Sequence, residues 1–511
     1  MFSALMIGVG ALRDILTAAF FGASDAIDAF MLASSFCVCI YGILTSVIDT
    51  AFLPLYTERL KRRNASPASL LSSIAVATTC FLTVSTVAMI VFVPYYMPLI
   101  ARGFSGDKLQ MTEHFCQALL ALVFLNGVSG LFKAVHNAHF RFGVPSFSNV
   151  VVPVFAVLFL FSFRETMGVW SLVWGAILGT AVKLTVMSPF VLEHLRQDGF
   201  PSLKGAELRA VLAFSCLAAP LILGVSFSRA NAVVVQAIAT RLPAGSVAML
   251  AYADRVFQVP VNLIALPLWT SIFPYLSREW ESRNMPAFRE TLVWGFRVIL
   301  IVVMPITLIL VLGSSSVVGA LYMRGAFGTD AARSTSLVLS ISGIGLIPVS
   351  LGYLFGRALH AARKMWAFAG VSLLNVAVNG IACVLLSRWW GIAGIAAAGT
   401  ITFTLSAFLL AALLRSKAGF VLTRGELVLV GKLALASLAM LCVGIGLGRL
   451  PKQGSLVPTH FHNWVSLLGW MTGVLTYFLI MFALGVEEVR RATSILVGWC
   501  KIRQRGKRSE S

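Results

Sequence analysis

The sequence predicts an all-α polytopic membrane protein of about 14 transmembrane helices, laid out as two parallel six-helix repeats plus two C-terminal helices. Three observations carry this. Of 511 residues, 58% are hydrophobic and only 12% are charged, and mean hydropathy is +0.89, too little polar surface for a soluble protein of this length. Apolar windows of about 18–25 residues recur from end to end, the length that crosses a bilayer. Three short motifs recur in order at nearly one offset.

Taken in chain order, the expected spans are 1–22, 28–56, 69–93, 112–135, 145–163, 168–192, 210–240, 245–275, 288–313, 334–359, 366–387, 391–414, 426–448 and 464–485. The chain opens directly on a membrane-length segment with no basic n-region, so no cleavable signal peptide is expected. The connections are short, and no soluble domain interrupts them. One set of loops holds "ERLKRRN" (58–64), "RQDGFPSLKGAELR" (196–209), "SREWESRN" (277–284), "HAARK" (360–364) and "RSKAGFVLTR" (415–424). The opposite set holds isolated basic residues such as Arg102, Arg164, Arg241 and Arg388. The first set carries roughly twice as many Lys and Arg, which places it and both termini in the cytoplasm. The net charge of +20 follows the same loops and the tail "KIRQRGKRSES". That pattern suits anionic lipid headgroups and argues against nucleic acid.

The repeats pair "LPLYTERLKRRN" (53–64) with "FPYLSREWESRN" (273–284), "IARGFSGD" (100–107) with "LYMRGAFGTD" (321–330), and "LFKAVHNAHFR" (131–141) with "LFGRALHAARK" (354–364). The offset is about 220 residues each time, as an internal duplication would leave. Six spans per unit is an even number, so both units enter the membrane the same way. The expected division is 1–195, a first six-helix lobe; 205–416, its repeat; 425–486, two extra helices; and 487–511, a basic tail. Two facing lobes enclose a central space, which a transporter needs and an anchor does not.

Ionisable residues fall inside the spans: Arg13, Asp14, Asp49, Lys183, Arg229, Asp254 and Arg255. Each costs roughly 2.5–3.5 kcal/mol at the bilayer centre unless it meets a partner or water. Neutralisation between neighbours explains part of the set: Asp14 with Arg13, and Asp254 with Arg255 or an arginine elsewhere. Arg229 has no acidic residue near it in sequence. The surplus is positive, and guanidinium binds phosphate in bidentate fashion, so the residues point to an anionic, phosphate-bearing cargo. Pro260 and Pro267 interrupt the eighth span, and Pro54 and Pro274 occupy matching places; they mark either static curvature or gating.

Other chemistry is not indicated. The eight cysteines are scattered, and Cys37 and Cys39 face different sides of a helix, which argues against a metal pair. His136, His139 and His360 fall at helix ends, as interfacial residues do. No Walker loop, Gly-rich fingerprint or nucleophile–base pair stands out. The reading is a transporter without cofactor, not an enzyme.

"GALRDILTAAFFGASDAIDAFMLA" (10–33), "AFLPLYTE" (51–58) and "GSVAMLAYADRVFQVPVNLIALPLWTSIFPYLS" (245–277) resemble the MurJ/MviN family of lipid II flippases, within the multidrug/oligosaccharidyl-lipid/polysaccharide exporter superfamily. The resemblance covers nearly the whole chain. It implies translocation of the undecaprenyl-pyrophosphate-linked peptidoglycan precursor from inner to outer leaflet of a bacterial cytoplasmic membrane by alternating access. It implies that Arg13 and Arg255 contact the pyrophosphate. Asp14, Asp28 and Asp254 would serve a gate or ion pair. Membrane lipids and the proteins of cell-wall synthesis and division are the implied neighbours, and a groove beside the last two helices would take the lipid tail.

The chain also departs from that pattern. Ile7 stands where an arginine is usual, and so does the region of Tyr41. Arg229 is an extra arginine that replaces one of them on this reading. Gln236 and Asn379, with Asn375 nearby, stand where some members hold sodium with carboxylates. Hard cations prefer charged oxygen, so membrane potential is the expected drive. The first helix starts late relative to the family, as a start codon assigned too far downstream would produce. Two further readings stay open: a flippase for another polyprenyl-linked oligosaccharide, and a non-transporting scaffold descended from a flippase.

Overall fold

Apolar sequence of this length, with its backbone groups denied water, folds as helix, because a helix satisfies every N–H and C=O internally. The computed structural model describes residues 2–61, 67–197, 222, 226, 229, 231–420, 424–449 and 459–490, and among them no strand occurs. Helices α1 to α8 span Phe2–Phe21, Asp25–Val47, Leu53–Lys61, Pro67–Ile100, Gly106–Leu119, Ala121–Ala138, Gly143–Met167 and Trp170–Gln197. Helices α9 to α17 span Ser246–Pro260, Leu266–Glu281, Met285–Leu312, Ser314–Leu321, Thr329–Ile344, Leu346–Ala361, Met365–Ala418, Arg424–Arg449 and Thr459–Ala483. Most of the expected span 210–240, the loop 196–209 beyond Gln197, and the tail from 491 lie outside the described residues, as does part of the loop 58–64.

Among the described residues ten helical stretches are long and apolar enough to cross a membrane, or eleven if the bent pair Thr329–Ile344 and Leu346–Ala361 forms one span. Burial shows what solvent they need. The stretch Ser73–Ile100 is strongly apolar, yet only 17% of its most apolar part is buried. Phe81, Val84, Val91, Tyr95 and Leu99 all stand exposed along it, a face that fits lipid rather than water.

Several spans are interrupted. α15 has 54 residues, far longer than the ~20 that cross a bilayer. Gly391 breaks it at φ 55° and ψ −130°, a backbone that favours glycine. The second span widens into a π-turn at Ile48–Phe52 before Leu53 and Pro54. The eighth does the same at Val261–Ala265 before Leu266 and Pro267. Proline lacks an N–H and crowds the carbonyl four residues back, which falls inside each π-turn. The helix is therefore widened between Pro260 and Pro267 rather than ended. In backbone geometry Pro54 corresponds to Pro267; Pro274, its partner by sequence, lies further along α10.

The chain forms two compact units. The first comprises Met1–Arg255, Arg324–Ala331 and Ser372–Ile395. In it α2 packs on α5 and α6, and α7 packs on α8. Gly175 and Gly179 allow that last approach: a Cβ on Gly175 would stand 2.9 Å from the Ala156 Cα, the close contact that small residues spaced by four permit. Its core includes Phe52, Tyr56, Leu131 and Val191. The second unit comprises Val256–Met323, Ala332–Val371 and Ala396–Ser511. In it α16 and α17 pack on each other and on α11. Tyr477 donates to the Ile301 carbonyl at 3.0 Å. Arg297 on α11 pairs with Glu426 at 2.6 Å and Glu488 at 3.4 Å, which neutralises a carboxylate that is 3% exposed.

Candidate functional site

The first unit gathers the interior charges. Arg13 and Asp14 are neighbours on α1. The Arg13 Nε and Nη2 donate to the Asp14 Oδ1 at 3.0 and 2.7 Å. The other oxygen, Oδ2, accepts from the Arg255 Nη1 at 2.9 Å. Asp14 is 9% exposed, and the two arginines are 27% and 36% exposed. One buried carboxylate thus holds two guanidiniums that are themselves still accessible. Asp254 precedes Arg255 on α9 and is exposed.

Arg229 lies against α2. A Cβ on Gly42 would stand 3.3 Å from the Arg229 Cζ and 3.4 Å from its Nη1. An alanine there would ask the guanidinium to give by a few tenths of an ångström, and a larger side chain would displace it. Tyr41, one residue earlier, lies within reach of the charges of Arg13, Arg255 and Arg229. Arg229 is exposed and makes no ion pair among the described residues. Three arginines against Asp14 and Asp254 leave a positive surplus, which suits an anion with several acceptor oxygens.

Asp28 is placed elsewhere. It is 1% exposed, near the start of α2. Its oxygens accept from the backbone N–H groups of Gly245 at 2.7 Å and Ala248 at 2.8 Å. Lys108 on α5 pairs with it at 2.8 Å and also reaches Asp25. A carboxylate at the N-terminus of α9 meets the positive end of the helix and satisfies donors that have no partner within it. Around it the backbone closes tightly. The Ala326 N–H donates to the Ala19 carbonyl at 2.8 Å, and Gly103 donates to the Thr240 hydroxyl at 3.2 Å. A side chain at Gly245, where φ is 84°, would meet the Ala23 carbonyl at 2.7 Å. Tyr252 reaches the Gly22 carbonyl at 3.3 Å.

The amide trio offers only neutral donors. The Asn379 Nδ2 donates to the Asn231 Oδ1 at 2.8 Å, and Cys383 lies 3.7 Å from the Asn379 Oδ1. The Gln236 Oε1 is enclosed without a hydrogen-bond partner among the described residues, and Asn375 lies one turn before Asn379. A second ionic group of the same unit joins Lys133 to Asp49 at 2.6 Å, with Lys183 3.5 Å from the Asn126 Oδ1.

Sequence reading named Arg13, Asp14, Arg255, Asp28 and Arg229, and the structure brings the first three into contact. It missed Lys108, whose exposed loop setting in sequence gives no sign of a buried partner 80 positions away. It also missed Gly42, since a glycine within a membrane helix carries no chemical mark of what packs on it.

The family model described as lipid II flippase MurJ matches residues 17–465. The chain is similar to a protein named probable lipid II flippase MurJ from Buchnera aphidicola subsp. Acyrthosiphon pisum (strain APS), 26% identical over 488 residues and covering 94% of each chain. It is similar to the one so named from Vibrio cholerae serotype O1 (strain ATCC 39315 / El Tor Inaba N16961), 23% identical over 505 residues and covering 95% of each. Among solved structures, one described as lipid II flippase MurJ in an inward closed conformation matches with a TM-score of 0.81 at 19% identity, covering 94% of this chain and 98% of that one. An inward-facing multidrug resistance transporter of the MATE family matches with a TM-score of 0.67 at 12% identity, covering 81% and 94%. At these identities the structural likeness speaks for the fold.

Proposed function

The chain belongs to the lipid II flippase MurJ family, and on that premise we propose that it carries lipid II from the inner to the outer leaflet of a bacterial cytoplasmic membrane. The cargo is a diphosphate bridging a polyprenyl tail and a sugar–peptide headgroup. The work is transport and not covalent chemistry. The observation that carries the reading is the shared carboxylate: Asp14 holds Arg13 and Arg255 together, and Arg229, without an ion pair among the described residues, stands beside Tyr41 and Gly42.

On this reading Asp14 is a placeholder. It offsets part of the cost of two guanidiniums inside the membrane and keeps their forks pre-organised while no cargo is bound. A diphosphate brings more acceptor oxygens than one carboxylate and engages Arg13, Arg255 and Arg229 directly. Arg229, on the helix after the first lobe, takes the place of an arginine missing from the second helix. The lobes are 1–195 and 205–416, with both termini cytoplasmic, and they rock about the bound diphosphate. Asp28 is the outer latch: its bonds to Gly245 and Ala248 hold the extracellular ends shut, and they must break for release. Gln236, Asn375 and Asn379 present amide oxygens, a weak donor set for a hard cation, so membrane potential is the drive we assign. Cell-wall synthesis and division proteins are the neighbours such cargo implies.

The test is complementation of a flippase-depleted bacterium. Wild type should restore growth, and Arg13→Ala and Arg255→Ala should fail at equal membrane abundance. Rescue by both variants, or disturbed division with outer-leaflet lipid II unchanged, would instead favour a non-transporting scaffold.

A further inference from the structure

The second unit holds a cluster that the diphosphate site does not use. Trp269 on α10 and Tyr353 on α14 stack with ring centroids 4.5 Å apart and planes 8° apart. The Arg357 guanidinium, one turn beyond Tyr353, lies 5.5 Å from the Trp269 ring and 5.8 Å from the Phe273 ring. Arg357 has no hydrogen-bond or ion-pair partner among the described residues, although it lies on the last turns of α14, the second half of the bent pair that together is long and apolar enough to cross a membrane, where an unpaired guanidinium is costly unless it reaches the interface. Trp269 is 6% exposed, and its indole N–H is enclosed with no acceptor among the described residues. Tyr353 is 42% exposed.

The first unit supplies an internal control. "FLPLY" (52–56) and "ALPLW" (265–269) each follow a π-turn, which equates Tyr56 with Trp269 and Asp49 with Asn262. Aligned on His136 and His360, "LFKAVH" and "LFGRALH" equate Lys133 with Arg357 and Ser129 with Tyr353. In the first unit the cation is neutralised, Lys133 to Asp49 at 2.6 Å, and Tyr56 is sealed at 1% exposure against Phe52. In the second unit the cation is kept, its carboxylate has become the exposed amide Asn262, and a small serine has become an accessible aromatic. Retaining a charge while deleting its counter-ion leaves a vacancy of defined chemistry: an anion with planar oxygens and an apolar flank.

We propose that Trp269, Tyr353 and Arg357 form a subsite for a carboxylate of the cargo headgroup. Arg357 binds the carboxylate, and the stacked rings pack against the apolar atoms beside it. This rests on the lipid II reading, whose headgroup carries stem-peptide carboxylates that its polyprenyl diphosphate lacks.

The test measures binding of two lipids, lipid II and undecaprenyl pyrophosphate, to the purified full chain. Wild type should prefer lipid II. Arg357→Gln should bind lipid II about tenfold more weakly, the loss expected for one charge-assisted contact, with undecaprenyl pyrophosphate unchanged. Asn262→Asp, which restores the counter-ion of the first unit, should have the same effect without removing any side-chain volume. Lipid II with amidated stem-peptide carboxylates should bind wild type as weakly as the parent lipid binds Arg357→Gln. Variants that bind both lipids like wild type, or lose both equally, overturn the subsite alone. Wild type that binds neither lipid overturns the lipid II reading and the subsite with it.

Discussion

The Asp14 carboxylate accepts from the Arg255 guanidinium at 2.9 Å across 241 positions of sequence, while its other oxygen holds Arg13. Asp14→Asn keeps the shape and removes the charge, leaving two guanidiniums to repel each other. The arginines keep partial access to solvent, so the cost is about 1–2 kcal/mol, below the figure for a fully enclosed pair. Denaturation of the purified variant should show that loss. An unchanged midpoint would mean the triad contributes nothing to holding α1 against α9.

Asp28→Asn should loosen the start of α9. The amide retains one acceptor oxygen but gives up the charge that Lys108 and the helix end require. Ser246 is 3% exposed, so Ser246→Cys reports the opening. The thiol should react faster with a membrane-impermeant reagent added outside when Asp28→Asn is present. Equal rates in both backgrounds would remove the latch.

Much of this was legible in the sequence, for physical reasons. Hydropathy over a span of about 20 residues reports lipid contact directly. An arginine or aspartate inside such a span is costly enough to mark itself, so Arg13, Asp14 and Arg255 stand out as residues, whereas Asp28 is named only by the family resemblance. Their partners do not stand out. By sequence Asp14 pairs with Arg13, and Asp254 with Arg255 or an arginine elsewhere; only folding shows that Asp14 satisfies both Arg13 and Arg255. Lys108 looked like a loop lysine, and Gly42 like any small residue of a helix. The π-turns were hidden too: Pro54 and Pro267 announce a disturbed helix, but whether it ends, kinks or widens depends on what packs around it.

Gly42→Ala should be tolerated, because the contacting group is the end of a flexible arginine side chain 3.3 Å from the added atom. Gly42→Val adds two methyl groups and should unseat the guanidinium. Transport should then fall to the level of Arg229→Ala, and the double variant should fall no further, as coupled sites behave. Additive losses would place Gly42 and Arg229 in separate roles.

Arg297→Met leaves Glu426 buried beside Glu488 without its cation. About 2–3 kcal/mol of stability should be lost, below the figure for a fully enclosed pair because Arg297 keeps partial access to solvent, and Arg297→Met with Glu426→Gln should recover part of it. Thermal unfolding of the two variants checks this; a double variant no better than the single one would contradict it.

The most direct measurement is the amount of lipid II exposed in the outer leaflet of flippase-depleted cells that carry either wild type or the Arg13→Ala/Arg255→Ala double variant, at equal membrane abundance. Wild type should restore outer-leaflet lipid II, while the double variant leaves the lipid trapped in the inner leaflet. Equal exposure in the two strains would contradict the claim that these guanidiniums grip the cargo.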